Sequence, residues 1–289
     1  MAHCISPEAE AILDKEFPVL DKGFIRLVDY MGGDERVVQS ARVSYGAGTK
    51  SYRQDAALID YLLRNSHTSP FEQVVLTFHI KLPIFVARQW VRHRTARLNE
   101  ISGRYSVMKD DFYVPANEDV AMQSQDNKQG RSPDPLEPAQ SERVRLLFSE
   151  GQKDAYAAYN SLIHEGIARE LARINLPLSL YTEWYWQIDL HNLFHFLELR
   201  LDNHAQKEIR LYAQVLLEIA KKVAPQCCAS FEQHVLKSVR FSGDEMAELR
   251  KRLAENENKS VSQNETGPEH LSGKALERFE EKLGKGTHR

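Results

Sequence analysis

Cysteine is scarce in this chain: three in 289 residues, with Cys4 near the start and Cys227 and Cys228 side by side. That number excludes a disulfide framework, and the spacing excludes the paired arrangement of a structural zinc site. A reducing, cytoplasmic setting is the expectation. Long apolar runs are missing as well. No segment approaches the roughly 20 apolar residues of a membrane-spanning helix, and Met1 to Glu10 lacks the basic-then-apolar order of a secretion signal. Nor is there an excess of positive charge. The 38 Lys and Arg stand against 41 Asp and Glu, a formal net charge of −3, so any anion must be held by a local cluster. No dinucleotide fingerprint is present, which excludes a Rossmann crevice. Gly46-Ala47-Gly48-Thr49-Lys50 and Gly284-Lys285-Gly286-Thr287 miss the phosphate-loop spacing and read as turns.

What is there is the composition of a globular protein, 42% hydrophobic and 27% charged. Residues 23 to 31 read as a strand, followed by Asp34 as the N-cap of a helix carrying Val37, Val38 and Ala41. A second helix fits 54 to 64. From Val74 to Leu82, Val74, Leu76, Phe78, Ile80 and Leu82 alternate with Val75, Thr77, His79 and Lys81, which predicts a strand with one buried face and His79 and Lys81 in solvent. Pro83 then opens a helix over 84 to about 94, turning Ile84, Ala87 and Val91 inward. Residues 116 to 140 are polar and proline-bearing and read as a loop insertion. From Ser141 the spacing is helical, through Val144, Phe148, Ala155, Tyr159 and Leu162. A shorter helix covers 167 to 174. Asp189 is the expected N-cap of a helix whose stripe is Leu190, Leu193, Phe194, Leu197 and Leu201, and a last core helix runs from Ala205 to Val223. The fold class expected is α+β, a single domain with an antiparallel or mixed sheet core and a largely helical C-terminal half. Residues 1–20 form an N-terminal extension, 21–242 the domain, and 243–289 a charged, flexible tail.

The densest chemical cluster is Arg88, Arg92, His93, Arg94, Arg97 and Arg104, interleaved with Gln89, Asn99, Glu100 and Ser102. So many guanidiniums repel one another unless an anion joins them, and arginine's forked donors suit phosphate. Gly103, without a side chain, lets backbone approach that anion closely. Glu100 and Asn99 suit the donor and acceptor edge of a base or a flavin ring. The bland alternative is a solvated basic face. His191 and His195 lie four apart with Glu198 one turn on, a spacing that suits a metal, but a third strong ligand is not evident. Hydrogen-bonded packing histidines are the alternative there, and no metal is expected.

The run Arg92-His93-Arg94, seven residues, then Ser102, followed by Gly103-Arg104-Tyr105, resembles the signature of flavin-dependent thymidylate synthases, with Asn99 and Glu100 also matching and Arg97 standing where Ser is usual. Ala41 to Ser44, His67 to Glu72, Phe85 to Trp90, Arg169 to Arg173, Leu176 to Leu178, Tyr181-Thr182, Leu199 to Asp202 and His204 to Gln206 are similar to that family in the same order. The resemblance covers about residues 20 to 240, without the 116–140 insertion and the tail. It implies a dUMP site of Gln89, Trp90, Val91, Arg92, Glu100, Ile101, Ser102, Gly103, Arg104, Arg173 and Arg200. It implies FAD contacts at Ser69, Arg92, His93, Arg94, Glu100, Asp189, Leu190, His191 and His195, although the family has Asn-x-Arg where this chain has Asp189-Leu190-His191. Arg200 is the catalytic residue so implied, with methylenetetrahydrofolate and NADPH as co-substrates and a homotetramer whose subunits share sites.

Methylating C5 of a uracil requires electron density at that carbon, and a cysteine thiolate added at C6 is one way to supply it. Cys4 lies in a terminus, and Cys227 and Cys228 have no His or Arg cluster beside them. Activation without a covalent nucleophile is therefore expected, with Arg200 stabilising the N3-deprotonated ring. Two other classes stay open: a nucleotide- or RNA-binding module using the Arg cluster, and a metal-dependent nucleotide hydrolase built on His191, His195 and Glu198.

Overall fold

The long alternation from Val75 lies at the centre of a five-stranded sheet. In a computed structural model of the chain, the described residues are 5–43, 52–125, 128–244, 246, 249 and 250. Cys4, Ser44, both glycine-rich turns and the expected tail beyond residue 250 lie outside them. The chain divides into two compact units, Met1–Leu236 and Lys237–Arg289. Within the described part of the second, the Met246 amide donates to the Ser242 carbonyl.

The strands of the first unit are β1 (Glu16–Val19), β2 (Gly23–Met31), β3 (Val75–Pro83), β4 (Arg97–Glu100), β5 (Ala121–Gln123), β6 (Arg131–Pro135) and β7 (Tyr181–Asp189). The main sheet has the order β1-β2-β3-β7-β4 with every pair antiparallel, and β5 and β6 form a separate hairpin. The helices are α1 (Pro7–Glu10), α2 (Asp34–Arg42), α3 (Tyr52–Arg64), α4 (Ile84–Trp90), α5 (Pro138–His164), α6 (Arg169–Ala172), α7 (Leu190–Arg200), α8 (Lys207–Val223) and α9 (Pro225–Phe231). The fold is thus α+β with an antiparallel sheet and a helical C-terminal half.

Leu76, Phe78, Ile80 and Leu82 of β3 are fully buried, and the register places Trp186 and Trp184 of β7 opposite Phe78 and Ile80. On that face Trp90, the last residue of α4, is wedged among four rings: Trp184 at 5.7 Å, Trp186 at 5.1 Å, Phe196 at 4.6 Å and Tyr212 at 6.0 Å between centroids. A buried tryptophan of this kind typically contributes about 3–5 kcal/mol against alanine. Its consequence is positional, because Trp90 anchors α4 to β7, α7 and α8 immediately before the arginine cluster begins. A second, smaller core of Met108, Phe112, Tyr159, Ala172 and Leu180 lies beside α5. Tyr159 accepts the Met108 amide at 2.9 Å and Tyr156 donates to the Met108 carbonyl at 3.0 Å, which pins the loop that follows Gly103.

Several elements depart from the sequence expectations. β7 and β4 carry no clear sequence signal yet complete the sheet. The segment 116–140 is not one loop, since it holds the β5–β6 hairpin and the start of α5, with Pro138 in the first turn where a missing N–H costs nothing. Asp34 does not cap its own helix. Gly33 holds that position, and the Asp34 carboxylate instead accepts the Gln226 and Cys227 amides at 2.9 and 3.0 Å, capping the distant α9. α4 ends at Trp90 rather than near 94, and it buries Val86, Ala87 and Trp90 while Val91 is exposed. His79 and Lys81 are not solvated: His79 meets Arg26 at 3.1 Å and Glu183 at 3.3 Å, and Lys81 pairs with Asp111 at 2.8 Å. Among the described residues, no helix is long and apolar enough to cross a membrane.

Candidate active site

Where α4 stops, the chain turns with the His93 amide bonded to the Trp90 carbonyl at 3.0 Å. It then runs along the edge of the sheet as β4. Leu190 to Arg200 leave the end of β7 as α7, whose buried face is Leu190, Leu193, Phe194, Phe196 and Leu197. Side chains on its other face meet the arginine cluster. Between them lies a cavity of about 260 Å³ lined by Arg92, His93, Arg94, Thr95, Ile188, Asn192, His195, Leu199 and Arg200. The two histidine rings, 102 residues apart in sequence, stand 5.9 Å apart between centroids.

Arg200, half-buried at the last turn of α7, donates from Nε to His93 Nε2 at 3.0 Å and from Nη2 to the Gln89 carbonyl at 3.2 Å. Burial pushes its own proton affinity down, as it does for His93, whose pKa falls to about 4 through burial first and the charges of Arg200 and His195 next. The imidazole is therefore neutral at physiological pH.

A second cavity, of about 350 Å³, is lined by Ile84, Glu100, Ile101, Gly103, Met108, Glu170, Arg173, Ile174, Leu176, Leu180 and Thr182. Gly103 is buried here for a steric reason. A Cβ at this position would lie 3.0 Å from Arg173 Cδ and 3.1 Å from Met108 Sδ. Ser102 Oγ accepts the Arg104 amide at 3.3 Å, and Arg104 pairs with Glu170 at 3.1 Å on the open rim. Such an exposed pair is worth little in stability, so Arg104 is free to exchange Glu170 for a stronger anion.

The expected site residues fall into three groups. Arg92, His93, Arg94, His195 and Arg200 line the first cavity, and Glu100, Ile101, Gly103 and Arg173 line the second. Ser69 lies apart, in a depression of about 470 Å³ with Arg36, Gln39, Ser40 and Gln73. Trp90 and Leu190 are fully buried, backbone included, so neither faces a ligand as expected, and the Leu190 amide donates to the Val74 carbonyl. Asp189 is the N-cap of α7, its carboxylate taken up by Asn192. His191 is half-buried in the first turn of that helix. Arg97 donates to Gln187 at 3.3 Å across β4 and β7. Among the described residues, no group of three His, Cys, Asp or Glu is placed to hold a metal ion.

Two site residues escaped sequence reasoning. Thr182, buried on β7, donates to Glu100 at 2.5 Å, and Gln206, just before α8, accepts from the Gln89 side chain. Both lie in segments similar to the family, Tyr181-Thr182 and His204 to Gln206, but no role was assigned to them there; for Thr182 the further signal would have been the strand β7 itself. Cys227 and Cys228 are fully buried in the core. Burial, and then the neighbouring Asp34, pushes both thiols above the ordinary range, so neither supplies a thiolate.

Residues 26–226 match the family model described as Thymidylate synthase complementing protein, and residues 239–289 match the model of the Thymidylate synthase ThyX C-terminal domain. The C-terminal tail, outside the resemblance seen in sequence, thus has a family match of its own. A flavin-dependent thymidylate synthase of Treponema denticola is 64% identical, over 95% of this chain and 99% of its own length. That of Treponema pallidum is 61% identical, over 99% and 90%. Among solved structures, a UMP/dUMP methylase from Streptomyces cacaoi bound with 5-Br UMP superposes with a TM-score of 0.69 at 30% identity, over 76% of this chain and 98% of the other.

Proposed function

The chain belongs to the flavin-dependent thymidylate synthase family, and from that premise we propose how its own residues divide the work of converting dUMP to dTMP. Methylenetetrahydrofolate gives the carbon. FAD, recharged by NADPH, supplies the hydride when bound.

The second cavity takes the nucleotide. Arg104 and Arg173 offer forked donors to its phosphate, and the backbone at Ser102 and Gly103 approaches the same oxygens because Gly103 carries no side chain. Arg92 reaches the nucleotide from the first cavity, and Gln89 and Val91 close its inner side. Glu100, held by Thr182, accepts from a ring N–H. The first cavity suits a flavin dinucleotide by its donor set: Arg92 and Arg94 match an anionic pyrophosphate, and neutral His93 with His195 offers flat, weakly polar surface to a ring. Asp189 and His191 extend that contact surface, whereas Leu190 is buried and Ser69 stands apart in its own depression.

Arg200, like Arg92, reaches the nucleotide from the first cavity and acts at the pyrimidine. A pyrimidine that has released its N3 proton to solvent is richer in electrons at C5, and a guanidinium beside the ring stabilises that anion in a water-poor site. A single donor of this kind is typically worth about 3–4 kcal/mol. The observation that carries the assignment is the pairing of a half-buried Arg200 at the cavity with two buried, protonated thiols elsewhere. Arg200→Ala is expected to lower dTMP formation by on the order of 10²–10³ while the protein still takes up FAD. Full turnover in that variant removes Arg200 from the chemistry, and a colourless protein that takes up no added FAD removes the flavin assignment.

At about 260 and 350 Å³ the two cavities fall at the low end for a single drug-sized ligand. A nucleotide, a dinucleotide and a folate need more surface than that. Sites shared between subunits of a homotetramer supply it, and Leu146, Leu147 and Phe148, exposed together on α5, are apolar surface suited to assembly.

A further inference from the structure

We propose that His93 is the positioning residue of Arg200: a neutral imidazole, protonated on Nδ1, whose Nε2 accepts the Arg200 Nε–H and so directs the remaining guanidinium donors toward the pyrimidine. The inference rests on the role given to Arg200 above. It assigns His93 a task distinct from touching flavin.

The chemistry of the bond decides the tautomer. A guanidinium has five N–H donors and no acceptor, so the atom facing Arg200 Nε at 3.0 Å must present a lone pair. Nε2 is that atom. A proton on it would set two donors and two positive charges against each other, so the ring's proton sits on Nδ1. The second anchor is the Gln89 carbonyl, which takes one Nη2 hydrogen at 3.2 Å. Both anchors come from the end of α4 and the turn after it, whereas Arg200 comes from the end of α7. Two donors used on two fixed points define the guanidinium plane, and three donors are left for substrate.

The surroundings hold the ring in this state. Phe196 packs its ring against His93 at 4.7 Å, and Trp90 behind it packs on Phe196 at 4.6 Å, so the imidazole has a rigid support from the core. The charged and titratable groups facing it are Arg200 and His195 from α7, with Arg92 and Arg94 flanking it in its own segment. None of the four favours a further positive charge. Burial first, then the charges of Arg200 and His195, keep the ring neutral down to about pH 4. An ordinary histidine would be half protonated near 6.5, and Arg200 would lose its anchor as the pH falls through that value.

The test uses the FAD-loaded full chain in single turnover. Flavin reduction by NADPH and methyl transfer from the prereduced enzyme are read separately. His93→Phe keeps a flat ring but no acceptor, and it is expected to slow methyl transfer by on the order of 10²-fold, the size of a misplacement of about 1 Å, a larger loss than any it causes in FAD affinity or flavin reduction. His93→Gln restores an acceptor at similar reach and recovers most of the loss. In the Arg200→Ala background, His93→Phe adds nothing further to the methyl-transfer defect. In selectively ¹⁵N-labelled wild type at about pH 6, the His93 ring shows a bare Nε2. Independent, multiplicative effects of the two substitutions overturn the proposal. So does equal impairment of His93→Gln and His93→Phe with FAD affinity lost in parallel, or a protonated Nε2. Failure of the Arg200 assignment itself is distinguishable, because Arg200→Ala alone would then turn over normally.

Discussion

Asp189 is the residue on which two expectations collide, since the resemblance gives it to FAD and the helix pattern gives it to a cap. Its Oδ1 accepts the Asn192 amide at 2.9 Å, and its two carboxylate oxygens accept from Asn192 Nδ2 at 3.0 and 2.8 Å. Asp189→Ala removes an N-cap, worth about 1 kcal/mol including the favourable charge at a helix N-terminus. It also strands the half-buried Asn192 amide, worth about another 1 kcal/mol. For a folded unit of this size a loss of about 2 kcal/mol lowers Tm by roughly 4–8 °C. Asp189→Asn keeps one oxygen for the Asn192 backbone, so its cost stays below about 1 kcal/mol. Melting should be followed by circular dichroism both without FAD and at saturating FAD, because a ligand that binds only the folded state raises Tm by mass action. FAD affinity is then measured by fluorescence at a temperature where both variants are folded. A clear Tm drop for Asp189→Ala with nearly native FAD affinity for Asp189→Asn is the expected outcome. An Asp189→Ala protein that melts within about a degree of the parent, or an Asp189→Asn protein with native Tm and lost FAD binding, would refute it.

Gly103→Ala places a methyl group 3.0 Å from Arg173 Cδ and 3.1 Å from Met108 Sδ. Arg173 must then shift, and calorimetry should show dUMP affinity down by on the order of tenfold, about 1.4 kcal/mol; unchanged affinity separates Gly103 and Arg173 from the nucleotide. Replacing Cys227 and Cys228 together by alanine should cost stability, about 1–2 kcal/mol in denaturant melts because both are fully buried, and leave methyl transfer per folded enzyme intact. Complete loss of methylation in a folded double variant would revive a thiolate mechanism.

Much of the frame was legible because its pattern is local. The strand at 23–31, the alternation of β3, the cap at Asp189 and the stripes of α7 and α8 each follow from burying one face of a regular element. β7 was not legible. Its aromatic residues Tyr181, Trp184, Tyr185 and Trp186 occupy both faces, which masks the alternation that the register with β3 reveals. β4 has no signal to read, since all four of its residues are exposed and only its backbone pairing with β7 makes it a strand. Asp34 shows a further limit. Its type and place suit a local cap, but its carboxylate serves amides 192 and 193 residues away.

By itself the sequence determined the chemical inventory: a dense arginine cluster with Glu100, Ser102 and Gly103 after a buried helix, and no cysteine in a reactive setting. Those are properties of residue type and short spacing. Tertiary structure decided how the inventory is deployed. It brought Arg200 against His93, 107 positions earlier, and Thr182 against Glu100, 82 positions earlier. It also divided the cluster between two cavities. Such contacts depend on which strand pairs with which and on what Trp90 packs against. Sheet order and core packing are long-range consequences of burial, so no local spacing encodes them.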